Sequence, residues 1–513
     1  MNENHSTKTT LPQFPEPYWR IGTTLSPFPK LDHNIQVETA IIGGGISGIT
    51  TAYLLAKEGV KVAIIDAGTL LNGTTGHTTA KITAQHDLIY HEFMQTIGKE
   101  RAALYYEANH HALNFIKSTV AEHKIECDLT EEDAYIYTNS DEYVSKLHDE
   151  FTAYQELGID GEYVQSIPLS IPIKAAIVMK KQAQFHPVAY LSRLVQFIID
   201  AGGSLYENTP AVNIEEGLQT KVITKDGHTV TCNNAIICSH FPFYDGSGFY
   251  FSRMYAEKSY VLGIKTKQDY PGGMYLSAEN PKRSLRYTMM NGEKLVLVGG
   301  ESHKTGQGIC TIKHYEAIQA FGEQVFGIKE IPYRWSTQDL TTLDKIPYIG
   351  PLTSGNQSVF VATGYRKWGM TNGTVAALLL KDLIMQQENP YAELYSPYRL
   401  TVNPSFKNFF IQNADVAKHL VAGKLGMVFT KPEELSNDEG AVVTVNGERA
   451  GAYKDQDGKL HLVDTTCTHM GCEIEWNAGD RTWDCPCHGS RFSIDGDVIE
   501  GPAEKPLKKV EEE

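Results

Sequence analysis

VETAIIGGGISGITTAYLLAKEGVKVAIID, residues 37–66, is the stretch that decides the fold. VETAII reads as a buried strand, and it runs directly into Gly43, Gly45 and Gly48 in G-x-G-x-x-G spacing. ITTAYLLAKEG carries a helical pattern, and VKVAIID is a second strand ending at Asp66. The glycines permit a tight turn, close backbone approach to a pyrophosphate, and close packing of helix on strand. The phosphates then meet the amino end of the helix, where free N–H groups and the helix dipole favour negative charge. An acid at the position of Asp66 accepts hydrogen bonds from an adenosine ribose. Alone, Asp66 would read as a strand-end turn residue. Strand, glycines, helix, strand and acid in this order predict a dinucleotide site.

A second signal lies near the other end. The boxes CTHMGC (Cys467 to Cys472) and CPCHGS (Cys485 to Ser490) hold a C-x-H pair, Cys467 and His469, and a C-x-x-H pair, Cys485 and His488. Two thiolates suit an iron that stays ferric, and two neutral imidazoles suit the iron that accepts the electron. Two His on one iron of a [2Fe–2S] cluster define a Rieske centre and raise its potential. Zinc clips favour C-x2-4-C and H-x3-5-H spacing, which is absent here.

The boxes resemble those of the Rieske domain, a small all-β fold. The resemblance implies that Cys467, His469, Cys485 and His488 ligate the cluster and that Cys472 and Cys487 form a disulfide between the two loops. GPAEKPL (Gly501 to Leu507) is similar to the proline-containing loop that shields the cluster in that family. Ser490 matches a serine that, in high-potential members, donates to a bridging sulfide. Two positions on, those members have a Tyr that donates to a ligand sulfur, and this chain has Phe492. Donors to the sulfurs stabilise the reduced cluster. The potential is therefore expected below the top of the Rieske range, roughly −150 to +300 mV.

The rest of the chain distinguishes FAD from NAD. LLNGTTGHTTAK (Leu70 to Lys81), Gln184 to Glu215, TCNNAIICSH (Thr231 to His240), LTTLDKIPYIGPL and Val359 to Ile384 follow in an order that resembles the D-amino-acid-oxidase-like, or glycine-oxidase-type, flavoproteins over about residues 15 to 390. The resemblance implies FAD, with Val212 near adenine and a Gly-rich turn from Gly364, through Gly369, Met370 and Thr371, at a helix start beside the flavin carbonyls. It implies a Rossmann-type α/β FAD-binding domain (35–87, 181–253 and 334–390) and an inserted, mostly antiparallel substrate sheet (88–180 and 254–333). A 1–34 arm, a 391–425 connector and a 426–513 Rieske domain complete the division. His77 stands in a loop where some relatives bond a His covalently to FAD; a His packed beside the flavin without a bond is the other reading. Asp339 falls where glycine-oxidase-like members have an Arg that clamps a substrate carboxylate. That departure, with Pro17–Trp19, is similar to γ-glutamylputrescine-oxidoreductase-like relatives and points to a cationic amine, or else Asp339 caps a turn. His77, Asp339 and Arg286 are the catalytic candidates, and Tyr287, Arg366 and Trp368 are candidate pocket residues.

Composition sets the bounds. A chain of 513 residues needs two or three cores. A net charge of −16 argues against a nucleic-acid partner. From Met427 onward 9 basic residues face 19 acidic ones, which reads as solubility or as steering of a basic electron-transfer partner. Cys127, Cys232, Cys238 and Cys310 read as reduced core residues and suit a cytoplasmic protein. MNENHSTKTT has no signal-peptide pattern, and no apolar run reaches membrane-spanning length, so no integral membrane segment is expected. The expected function is oxidation of a small amine or amino-acid-like substrate by hydride transfer to FAD. Electrons then pass singly to the cluster and on to an unidentified acceptor. The alternatives are an external reductant feeding the cluster, or a carrier whose flavin domain serves for docking.

Overall fold

The computed structural model describes residues 10–22, 25–246, 248–308, 311–399, 412–420 and 430–511. Cys310 and parts of the predicted arm and connector lie outside them.

The motif at 37–66 folds as its pattern requires. Thr39–Ile42 and Val62–Ile65 are fully buried parallel neighbours, and Ile46–Lys57 is the helix between them. They form the centre of a six-stranded sheet that continues through Ser204–Tyr206 on one side. On the other side lie Asn234–Ile237, Val359–Thr363 and the antiparallel Tyr348–Pro351. Runs such as TAII and VAII are apolar without alternation because both faces are covered: Ile41 and Ile64 pack with helix residues such as Ile49 and Leu55, while Ala40, Ile42, Ala63 and Ile65 pack with Ile214, Val222 and Val230 of a separate four-stranded sheet.

The predicted substrate sheet has nine strands. Its path runs Ile328–Thr342, Met254–Thr266, Glu293–Lys304, Arg283–Met290, Met274–Ser277, Thr130–Thr138, Ala175–Gln184 and Lys81–Ile82, with Gly161–Val164 beside Ala175–Gln184. Only the contact between Met274–Ser277 and Thr130–Thr138 is parallel. The boundary expected at 333/334 falls inside Ile328–Thr342. That strand pairs along its length with Met254–Thr266, so the sheet domain extends to Thr342. Lys81–Ile82 likewise belongs to this sheet and not to the dinucleotide domain.

Residues 430–511 form two small antiparallel sheets, one of three strands (439–463) and one of four (475–500). This all-β unit is seated on the Ile328/Met254 strand pair through alternate residues. Lys258, fully buried, puts its ammonium 2.5 Å from Asp480 and 3.2 Å from Asp484. Ser336 donates to Asp480 (2.5 Å), Gln338 to the Gly489 carbonyl (2.9 Å) and Arg334 to the Gly479 carbonyl (2.6 Å). Arg491 contacts Asp480 and Asp484 from within the β unit, each at 3.2 Å. Burial raises the Asp480 carboxyl, but Lys258 and Arg491 outweigh it and hold the group well below its ordinary range.

Removing one partner of a buried ion network costs about 3–5 kcal/mol. Lys258→Met is therefore expected to loosen the β unit by that order. The measurement is denaturant unfolding, in which the β unit should melt at lower denaturant than the α/β domain; a single unchanged transition would contradict it.

Candidate functional site

A cavity of about 1560 Å³ runs between the dinucleotide cradle and the substrate sheet. Pockets for small ligands span roughly 300–1,000 Å³, so there is room for a dinucleotide and a substrate together. Of the predicted cofactor residues, Gly43, Gly45, Asp66, His77, Val212, Gly369 and Met370 line it. Gly43 has φ +111°, and a Cβ there would lie 2.4 Å from the Cys238 carbonyl oxygen. Gly48 lines nothing; a Cβ on it would meet the Gly43 oxygen at 1.9 Å, so its role is close packing of helix on turn. Gly364 and Thr371 also stand back from the cavity. Thr371 is hydrogen-bonded to the Thr83 carbonyl and paired with His86.

Asp66 accepts N–H bonds from Gly44 (2.7 Å) and Gly68 (2.8 Å), so its carboxylate fixes the glycine turn as well as facing the cavity. Burial raises its pKa. At the amino end of Ile46–Lys57 the Ile46 N–H donates to the Thr75 hydroxyl (3.0 Å), and Gly45 as a cap offers no side chain, so the helix end still presents backbone donors for phosphate. The glycine cradle, this helix end and the cavity's length fit a bound flavin dinucleotide.

The opposite wall is the sheet face that alternates with the β-unit contacts. Glu257, Ser259, Thr337 and Asp339 line the cavity, with Glu257 paired across strands with Asp339. Ser336 touches both sides. Asp339 is a mid-strand residue and not a turn cap. Burial lifts its pKa to about 6 against the nearby Lys367 ammonium at 3.5 Å. Arg366 and Trp368 line the cavity too. Arg286 and Tyr287 do not. Arg286 is buried with its guanidinium donating to the carbonyls of Tyr287, Ala80 and Phe185, and Tyr287 donates to Glu132. The sequence offered no view of these partners, so a structural arginine read as a substrate group.

His77 lies in a short 3-10 turn, Thr74–His77, with Nδ1 2.9 Å from the Gly73 carbonyl and its own carbonyl accepting from Trp335. Burial lowers its pKa. His240 also lines the cavity, near Thr74 (3.2 Å), with a buried Nε2 that has no partner among the described residues. It follows the carboxyl end of Asn234–Ile237, which is where ligands sit in open parallel sheets; that position was its only sequence signal.

The two boxes form matching turns. Gly471 donates to the Cys467 carbonyl and Gly489 to the Cys485 carbonyl, both glycines at positive φ. Cys472 and Cys487 are joined as a disulfide. Cys467 and Cys485 are buried and unpaired, within reach of one another. The rings of His469 and His488 lie 4.9 Å apart. His488 Nδ1 is buried without a partner among the described residues, and burial lowers its pKa to about 4, so the imidazole is neutral. Two thiols outside the disulfide and the two adjacent imidazoles of His469 and His488 are the donor set a Rieske cluster needs. Phe251, in the short helix Tyr250–Arg253 that precedes Met254–Thr266, packs edge-on against both His469 (5.6 Å) and His488 (5.7 Å).

Together the fold and these sites define a flavoprotein oxidoreductase with its own iron–sulfur domain. Residues 38–383 match the FAD dependent oxidoreductase family and residues 427–511 the Rieske [2Fe-2S] domain. The chain belongs to that oxidoreductase family, which binds FAD, and carries a C-terminal Rieske domain, which binds a [2Fe–2S] cluster. It is 53% identical to the Rieske 2Fe-2S iron-sulfur protein YhfW of Bacillus subtilis (strain 168) over 97% of this chain and 98% of that one. Glycine oxidase from Geobacillus kaustophilus shares the fold at TM-score 0.61 and 18% identity, covering 72% of this chain and all of that one. A cytochrome b6-f complex iron-sulfur subunit of Synechocystis sp. (strain PCC 6803) is 51% identical over 81 residues, 15% of this chain and 45% of that one.

Phe492 is fully buried among Cys467, Cys485 and Trp483. Its ring fills the space without donating. Phe492→Tyr should raise the cluster potential, read by protein-film voltammetry; an unchanged or lower value counts against the donor argument.

Proposed function

We propose that the chain oxidises a small, cationic amine at a carbon–nitrogen bond and passes the electrons outward through its Rieske domain. Bound FAD supplies a two-electron acceptor for hydride from the carbon beside nitrogen, and a bound cluster supplies a one-electron site. In this reading Gly43, Gly45, Asp66, Val212, Gly369 and Met370 hold FAD, and Cys467, His469, Cys485 and His488 hold the cluster. His77 packs beside the flavin without a covalent bond.

One observation carries the reading: a single pair of strands lines the cavity with one set of alternate residues and seats the Rieske domain with the other. Asp339 and Glu257 put two carboxyl groups opposite each other on that wall, one more than Lys367 offsets, which suits an ammonium group and not a substrate carboxylate. His488 is buried under Phe251, whereas His469 is partly exposed beside an exposed Met470. An inward His488 and an outward His469 suit electron entry from the flavin and exit to an external acceptor. No described helix is long and apolar enough to cross a membrane. Among the described residues Cys127, Cys232 and Cys238 are unpaired, which supports a cytoplasmic location.

The test is anaerobic mixing with a panel of primary and secondary amines while flavin and cluster absorbance are followed together. Flavin bleaching followed by cluster bleaching is expected. Cluster reduction by an external donor, with no amine bleaching the flavin, would favour the electron-carrier reading instead. Asp339→Asn should raise KM for the amine about 10–100-fold, the worth of one hydrogen bond to a charged group, with a smaller change in kcat. Denatured protein run on a gel should show no flavin fluorescence under ultraviolet light; a fluorescent band would establish a covalent bond.

A further inference from the structure

Lys81 stands where the flavin loop enters the substrate sheet. Its strand, Lys81–Ile82, ends the sheet path beside Ala175–Gln184. Its ammonium donates to the Ser284 hydroxyl (2.7 Å) and the Tyr275 carbonyl (2.9 Å), and it lines the cavity. Three other lysines of the cavity wall have acids: Lys282 pairs with Asp87, Lys345 with Glu92 and Lys367 with Asp339. Lys81 makes no ion pair among the described residues. The charged and titratable groups on the elements around it are Arg283 (paired with Glu301), Arg286 and Tyr287 on Arg283–Met290, Lys180 (paired with Asp133 and Glu162) and Lys181 on Ala175–Gln184, Tyr275 on Met274–Ser277, His186 at the start of the following helix, and the Lys282–Asp87 pair. Burial, and then the Arg286 charge, lower its pKa to about 7.

An amine that reaches the cavity as an ammonium cannot lose hydride from the neighbouring carbon. Its nitrogen lone pair is held in an N–H bond, and the product would carry two positive charges. We propose that Lys81 is the general base that takes this proton. The substrate N–H bond breaks, a new N–H bond forms on Nζ, and the positive charge moves to Lys81. The freed lone pair then forms the C=N bond as the C–H electron pair leaves to the two-electron acceptor. The Ser284 hydroxyl and the Tyr275 carbonyl receive the resulting ammonium. The inference rests on the amine-oxidising reading above.

Several other bases on the wall are committed, and Glu257, which makes no ion pair among the described residues, lies opposite Asp339 on the Met254/Ile328 strand pair. Asp339 faces Lys367, Glu500 faces Arg491 and His77 holds the Gly73 carbonyl. His240 is the rival, and it sits with Thr74 on the glycine-cradle side.

Two measurements on the holoenzyme test this. Competitive acetylation with acetic anhydride across pH, read by peptide mass spectrometry, reports the titration of Lys81 itself without turnover. A midpoint near 7 is expected, and one above about 9, near an ordinary lysine, overturns the proposal. Anaerobic flavin bleaching by the best amine is then followed against pH. Wild-type protein should show a rate that rises through pH 7. In Lys81→Met the rate at pH 7.5 should fall about 100-fold or more, and the limb should move toward roughly 10, the range of a free alkyl ammonium. Lys81→Arg keeps the charge and the donors but stays protonated, so it should be as slow as Lys81→Met; near-wild-type activity overturns the base role. Retained cluster absorbance in both variants reports folding. A limb that persists in Lys81→Met and vanishes in His240→Asn assigns the base to His240 and overturns the proposal for Lys81. No bleaching of wild type by any amine sinks the parent reading and this one with it, while bleaching with an unaltered limb in both variants sinks this one alone.

Discussion

The Lys258 ammonium, wholly buried between the carboxylates of Asp480 and Asp484, is the constraint on which the arrangement of this molecule turns. A lysine taken out of water is tolerable only where opposite charge and hydrogen bonds replace its hydration. Both acids come from the Rieske domain, and both are themselves tied to Arg491. Asp484 precedes Cys485 in the chain, and Arg491 follows Ser490. The charges that dock the domain therefore also set the second box relative to the sheet. Buried ion networks contribute little net stability against apolar packing, but they are intolerant of misregister. This one specifies where the domain sits more than how tightly it holds.

The sheet beneath it acts as a partition. Side chains of a strand point alternately to opposite faces, and the Met254/Ile328 strand pair uses both. Lys258, Ser336 and Gln338 hold the Rieske domain, while Glu257, Thr337 and Asp339 face the cavity. A slip of one residue in register would exchange the two sets. Val498–Glu504 and Arg491 of the Rieske domain also reach the cavity wall. The domain thus closes the site that it is proposed to drain, and fusion keeps the two centres at a fixed, high effective concentration.

What the sequence disclosed follows from how local each feature is. The glycine turn and Asp66 lie within 24 residues, and the four proposed ligands within 22, so order and spacing carry them. The glycines are readable because backbone geometry excludes other residues: Gly43 and Gly48 have no room for a Cβ. The Asp339 departure was visible as one residue out of pattern, but its place in mid-strand opposite Glu257 depends on pairing with a segment some 80 positions away. Lys258, Phe251 and Lys81 carried no sequence signal at all. Each matters only through a partner brought close by the fold, and the misreading of Arg286 has the same origin. The three carbonyls that satisfy it come from its own strand, from the residue before Lys81, and from Phe185.

Phe251 bears on how a fixed Rieske domain exchanges electrons. Its ring meets both imidazoles from the flavin side, and Tyr255, four residues on, lines the flavin cavity as well as the small space behind His488. A covered His488 is shielded from water, which keeps the local dielectric low and strengthens whatever donors surround the cluster. Its neighbour His469, at the partly exposed edge, lacks that shield. A cluster held this way has unlike imidazoles on one iron. A docked domain also removes the option of swinging between donor and acceptor. Oxidation of a two-electron donor through one such site then has to proceed as two successive single-electron passages across the same partition. In the proposed direction of flow an external acceptor would meet the cluster at the exposed edge, because the domain cannot leave without opening the Lys258 network.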